Sequence, residues 1–252
     1  MSSLDNPFFI FAASLIAQWL AAYAGDYARK WARPLEVDER QDFDTVRVAA
    51  LTLLGLVIGF TFSMAVSRYD QRKNYEEAEA NAIGTEYVRA DLFPADDAAS
   101  VRTLLSNYLD HRILFYMTGD ERKIDRINAD TAKLQADLWS AVSHAATLQP
   151  TPVTALAVSG MNDVLNSQGY TQAAWWNRIP AAAWGLMGLM AIACNLLIGY
   201  GERRTSASVL LVLPPILSIA FFLIADIDSP RGGVIHVLPQ NLISLSQSIK
   251  AH

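Results

Sequence analysis

Residues 48–94 read VAALTLLGLVIGFTFSMAVSRYDQRKNYEEAEANAIGTEYVRADLFP, and the rest of the chain takes its place around them. The first twenty, 48–67, carry no charge. That is the length a helix needs to cross the hydrocarbon core of a bilayer. From Arg68 the sequence turns polar, yet it holds one glycine, Gly84, and no proline before Pro94. Good helix formers fill the interval, so one helix of about 45 residues, roughly 70 Å at 1.5 Å per residue, is expected to leave the membrane and continue in water. A rod of this kind serves as the axis of a channel or as the stalk of a signalling protein.

Three further windows are free of charge, at 6–25, 179–201 and 205–225, in a chain of 252 residues that is 52% hydrophobic. Each is about one bilayer long. The expected fold is therefore an all-α membrane protein with four transmembrane helices. Residues 1–67 hold the first two and their connection, 68–178 form a large helical extramembrane segment, 179–225 hold the third and fourth, and 226–252 are a C-terminal tail. The first window lacks a basic stretch before it, and Trp19 and Tyr23 stand where a signal-peptide cleavage site would need small residues. It reads as a retained span.

The net charge of −5 argues against nucleic acid as a partner. The single cysteine, Cys194, falls inside the third span, which leaves no disulfide framework and no thiolate metal site. The four histidines are scattered and none stands at metal-ligand spacing from a Cys, Asp or Glu. No phosphate loop, nucleophile elbow or HExxH motif occurs. The reading is of a protein that is not an enzyme and needs no cofactor or metal.

Local signals place the other elements. Asn6-Pro7 opens the first span, and Gln18 within it marks a helix-packing side. Residues 26–47 read as a mixed-charge connection, with Pro34 breaking any helix beyond Lys30. In the polar segment, Asp96 and Asp97 begin a helix with Val101, Leu104, Leu105, Tyr108, Leu109 and Ile113 on one face, closed by Gly119 as a C′ glycine. Asp120 begins the next, with a stripe of Ile124, Ile127, Leu134, Leu138 and Val142, and Thr151-Pro152 opens another toward Trp175. Trp175 and Trp176 read as interfacial belt residues. Glycines and alanines make the third span small-faced, and its Asn195 is expected to hydrogen-bond a neighbouring helix. Gly201 to Arg204 form a tight turn into the fourth span, which Pro214-Pro215 must kink.

The segment 225–233, ADIDSPRGG, puts two carboxylates at a helix C-terminus, where they oppose the macrodipole. Either this is an ordinary interfacial stop, or Asp226 and Asp228 are held by a cation. Arg68 or Arg72, which leave the membrane on the same side, are the expected partners in a structural salt bridge, with Arg231 as the local alternative.

Gly59-Phe60 followed eight residues later by Arg68-Tyr69, running on as a long helix, resembles the second span of the bestrophin channels. ADIDSPRGG with Leu238-Pro239 after it is similar to the acidic, Pro-aromatic-Gly, Leu-Pro segment of that family, and the four-span layout agrees. The chain most resembles the uncharacterised bacterial bestrophin-like group. The resemblance implies a homopentamer around an axial pore that passes inorganic ions, in a bacterial inner (plasma) membrane, multi-pass, with both termini cytoplasmic. It implies a pore neck built by Thr52, Leu56 and Phe60, four residues apart on the second span. Thr52 departs from the bulky apolar side chain of the family, and Arg231 stands where the family has an aromatic. The acidic calcium site of animal members has no counterpart after Gly232. Lys and Arg counts near the spans lean against a cytoplasmic helical segment, and the resemblance is followed. The rival reading is a non-conducting sensor or scaffold whose helical segment docks a partner.

Overall fold

The computed structural model describes residues 6–32, 36–201 and 207–251. Eight α-helices follow one another among them: α1 Pro7–Trp31, α2 Val37–Arg89, α3 Ala95–Met117, α4 Glu121–Leu148, α5 Pro152–Trp176, α6 Ala181–Gly201, α7 Ala207–Asp228 and α8 Gln240–Lys250. A single 3-10 turn, Ala90–Leu92, follows α2. No strand occurs among the described residues. Three stretches of them are long and apolar enough to cross a membrane: Pro7–Trp31, Val37–Leu92 and Pro152–Gly201. The fourth window, 205–225, falls on α7 and partly outside the described residues. Pro34 and the turn at 202–204 lie outside them as well.

Helix α2 runs for 53 residues, longer than the sequence suggests, because it begins at Val37. The stretch 37–47 is helical instead of a loop: its acids Asp38 and Glu39 stand in the first turn, where they complement the macrodipole. The prolines behave as read at the other ends. Asn6 caps α1 by accepting from Phe8 N at 3.0 Å, with Pro7 in the first turn. Thr151 and Thr154 form a reciprocal capping box on α5, again with proline in the first turn. Gly119 is a different matter. Among the described residues only Gly233 has positive φ, and α3 ends on an extended Thr118, so Gly119 is no left-handed cap.

The chain divides into two compact units, and the boundary between them falls within α2. The first comprises Met1–Arg68 with Arg178–His236. In it α1 lies against α6 and α7. Gly25 and Gly199 bring two backbones into contact: a Cβ on Gly25 would stand 2.1 Å from Leu196 O, and one on Gly199 would stand 2.0 Å from Ala22 O. Without a hydrophobic drive between helices in lipid, such close approach and buried hydrogen bonds supply the cohesion. Gln18 of α1 donates to Ser218 of α7 at 3.1 Å and accepts from Asn195 of α6 at 3.1 Å, all three being buried. One polar side chain per helix thus ties the three together.

The second unit comprises Tyr69–Asn177 with Val237–His252. Its core is built on Ile83, Val101, Leu105, Tyr108, Leu109, Phe115, Leu138, Val142, Met161 and Val164. Trp175 joins that core against Phe115 and Tyr116, with ring centroids at 5.0 and 5.4 Å. It is therefore a packing residue and not an interfacial one, whereas Trp176 is exposed. The tail also contributes a helix, α8. Pro239 at its N-cap makes no side-chain cap. Glu76 of α2 supplies one instead, accepting from Leu242 N at 3.0 Å and from the Asn241 side-chain amide. A carboxylate at that end is favoured by the helix dipole.

Candidate functional site

The apolar part of α2 has two unlike faces. Leu54, Thr61 and Ala65 are buried in this chain. At 3.6 residues per turn, Thr52, Leu56 and Ser63 point the opposite way, and all three are exposed. Phe60 is 65% exposed and Leu56 52%, and Cβ atoms at Gly55 or Gly59 would meet nothing within 4 Å. The Thr52 hydroxyl turns back to its own helix, donating to Val48 O at 2.9 Å. The three residues that the family resemblance marks as a neck thus share one uncharged side of the helix that its own chain leaves exposed. A helix rotates by about 40° more than a full turn every four residues, which carries Phe60 toward the flank of that side.

The acidic turn after α7 is held from several directions. Asp226 is buried and accepts Val234 N at 2.7 Å and Ile235 N at 3.0 Å, one on each carboxylate oxygen. The chain passes over it at Gly233, whose φ is +91°. Ser229 accepts from Gly232 N at 2.9 Å and tightens the same loop. Asp228, equally buried, faces the start of α6. It pairs with Arg178 Nε at 3.1 Å and accepts Ile179 N at 3.2 Å. The macrodipole penalty on these two acids is thereby offset by backbone donors and one guanidinium. Arg178 is a partner that sequence reasoning missed, because it stands about 50 residues away in the chain. Arg68 lies within one turn of Met64, its Nη2 3.6 Å from the Met64 sulfur, and Arg72 is buried.

The second unit buries charge along α2 at positions 72, 76, 79 and 86, steps of four, three and seven residues that keep them on one seam. Glu79 is the hub. It pairs with Arg112 of α3, and accepts from Tyr116 at 3.3 Å and from Thr171 of α5 at 3.1 Å. The Arg112 guanidinium also covers the Phe115 ring at 4.5 Å from its centroid. Burial, and then the Glu79 charge, push the Tyr108 and Tyr116 hydroxyls well above the ordinary phenol value. Glu86 is as fully buried as Glu79, but neither of its carboxylate oxygens finds a hydrogen-bond partner among the described residues. Loss of hydration pushes its pKa up to about 8, with Arg89 pulling down and Asp163 adding to the rise. Gly160 of α5 makes room for it, since a Cβ there would stand 2.1 Å from Glu86 Oε2 and 2.3 Å from Arg89 Nη1. Among the described residues no group of three or more His, Cys, Asp or Glu is close enough to hold a metal ion.

Three comparisons bear on this arrangement. A search of curated proteins returns no significant match. Among solved structures, a substituted form of a bacterial bestrophin homologue from Klebsiella pneumoniae aligns with a TM-score of 0.65 at 13% identity, covering 96% of this chain and 94% of that one. Another crystal structure of a Klebsiella pneumoniae bestrophin homologue, phased on zinc, gives 0.63 at 15% identity, over 96% of this chain and 95% of the other. A further match, described only as a membrane protein, gives 0.63 at 15%, covering 95% and 96%. At such identities the likeness concerns the fold. The sequence itself matches the family model of the Bestrophin-like domain over residues 11–242, and the chain belongs to the bestrophin-like family.

Proposed function

We propose that the chain assembles into a bestrophin-like ion channel, with its axial pore lined by the membrane part of α2. The four spans are α1, residues 48–67 of α2, α6 and α7. The exposed face of α2 carries this reading. Thr52, Gly55, Leu56, Gly59 and Ser63 make a side that is uncharged but partly hydroxyl-bearing and small, while the opposite side is already buried against its own chain. Small residues such as Gly55 and Gly59 suit close approach of another helix more than contact with lipid. In a ring of copies those positions pack against neighbours or converge on the axis. Thr52, Leu56 and Phe60 would form stacked rings one turn apart. A ring of Phe60 side chains is a constriction narrow and apolar enough to hold back ions by dewetting.

On this reading the partners are the lipid bilayer, further copies of the chain in a pentamer, and inorganic ions. The second unit and both termini lie in the cytoplasm beneath a bacterial inner membrane. The mass of the detergent-purified complex tests the assembly. Five copies are expected. A monomer or dimer removes the axis, and with it the pore, and leaves the rival reading of a membrane sensor or scaffold.

A further inference from the structure

We infer that a crevice enclosed by α1, α6 and α7 binds one phospholipid, taking an acyl chain along its apolar walls with the headgroup phosphate at the Arg178–Asp228 end. The crevice measures about 550 Å³ and lies wholly within the first unit. That is an ordinary volume for a ligand site, on a scale of roughly 300–1,000 Å³. Phe9 and Ile10 of α1, Trp184 of α6 and Phe221 of α7 give it apolar walls. Its width comes from what is missing, since Ala13 and Gly188 face it where larger side chains would close it.

The contents follow from the chemistry of the lining. Water needs two to four polar partners, and the apolar walls supply none along most of their length. An empty space would forfeit the dispersion contacts of every side chain around it. A hydrocarbon chain satisfies both conditions. The polar end is different: Asp228 is buried and paired with Arg178, whose side chain is one-third exposed. Three helix ends meet there, because Phe9 is near the start of α1, Arg178 precedes α6, and Asp228 is the last residue of α7. From that end the apolar wall runs along α6 to Gly188, roughly 10 Å beyond Ala181 at 1.5 Å per residue. Charge at the helix ends and an apolar interior reproduce the polarity of a membrane leaflet. A guanidinium at headgroup depth suits a phosphate oxygen in particular. The site needs α1 and α6 to be in a bilayer, but it needs no open pore, so it stands or falls separately from conduction.

The test uses the intact assembly. Gly188 is the position to change, because it lines the crevice and a Cβ there would meet nothing within 4 Å among the described residues, so a larger side chain starts from open space. Wild type is purified from native membrane, washed with delipidating detergent and weighed by native mass spectrometry. One phosphate-bearing diacyl lipid per chain is expected to remain, and Gly188→Phe is expected to retain at least tenfold less at unchanged oligomer mass and helix content. If Gly188→Phe does not accumulate, Gly188→Val is read in the same way. Wild type without bound lipid, or a variant that retains as much, overturns the inference. Retention of free fatty acid alone overturns the phosphate end of it. A variant that dissociates the oligomer would overturn it too, by assigning the crevice to a second copy of the chain.

Discussion

Gly233 lies over the Asp226 carboxylate so closely that a Cβ on it would stand 1.7 Å from Asp226 Oδ1. The glycine is required twice, for that approach and for its φ of +91°. Gly233→Ala therefore meets the left-handed penalty of about 1–2 kcal/mol and must also displace the carboxylate that accepts Val234 N and Ile235 N. A clear drop in the thermal unfolding midpoint of the detergent-solubilised protein is expected. An unchanged midpoint would mean that the turn is not held by Asp226.

A cation for Asp226 from α2 is a separate proposal, motivated by the burial of its carboxylate, to which Val234 N and Ile235 N bring hydrogen bonds but no opposite charge. Asp226→Asn should destabilise the protein. Combined with Arg68→Gln, the loss should be smaller than the sum of the two single losses, by on the order of 0.5–3 kcal/mol for residues in contact. Strict additivity in unfolding measurements would remove the pairing.

Local signals were the legible part of this fold. Asn6-Pro7, Asp120 and Thr151-Pro152 open helices because capping is settled by residues a few positions apart. The apolar windows followed from bilayer thickness alone. What sequence could not carry was any contact between distant segments. Arg178 reaches Asp228 across about 50 residues, and Glu76 caps a helix more than 160 residues away. The stretch after Arg68 reads as helix continuing in water, yet Glu76, Glu79 and Glu86 on it are buried, because their surroundings come from α3, α5 and α8. Thr52, Leu56 and Phe60 were legible as a stripe from their spacing. Their exposure in a single chain could be learned only from which side of α2 its own neighbours cover.

Glu86 gives the helical unit a pH dependence with a definite sign. Its carboxyl goes from an ordinary 4.5 to about 8 on folding, chiefly through burial. The folded chain therefore holds the proton more tightly than the unfolded chain does. This contribution to stability is complete below about pH 4.5 and is lost as pH rises through about 8, with a slope of up to about 1.4 kcal/mol per pH unit between. Glu86→Gln, which stays neutral, should flatten the unfolding profile between pH 5 and 8. A slope that survives the substitution would assign the titration to another group.

Orientation is open to direct labelling, since Cys194 is the sole cysteine and is buried. Ser100 and Val37 are both exposed in the structure, so either accepts a probe. With the helical unit in the cytoplasm, Ser100→Cys should resist membrane-impermeant maleimide in intact cells while Val37→Cys reacts. The opposite pattern would invert the proposed topology, as the count of basic residues near the spans suggests.

The channel itself is tested most directly by ion flux into vesicles reconstituted with wild type and with Phe60→Ala. Phe60 is exposed on α2 and touches little of its own chain, so removing its ring should leave the fold and the oligomer intact. If five Phe60 side chains close the axis, the substitution widens the constriction and flux rises well above wild type at equal protein content. If wild type, Phe60→Ala and Leu56→Ala are all silent in vesicles that hold intact oligomer, the α2 face lines no ion pathway and the channel account is wrong.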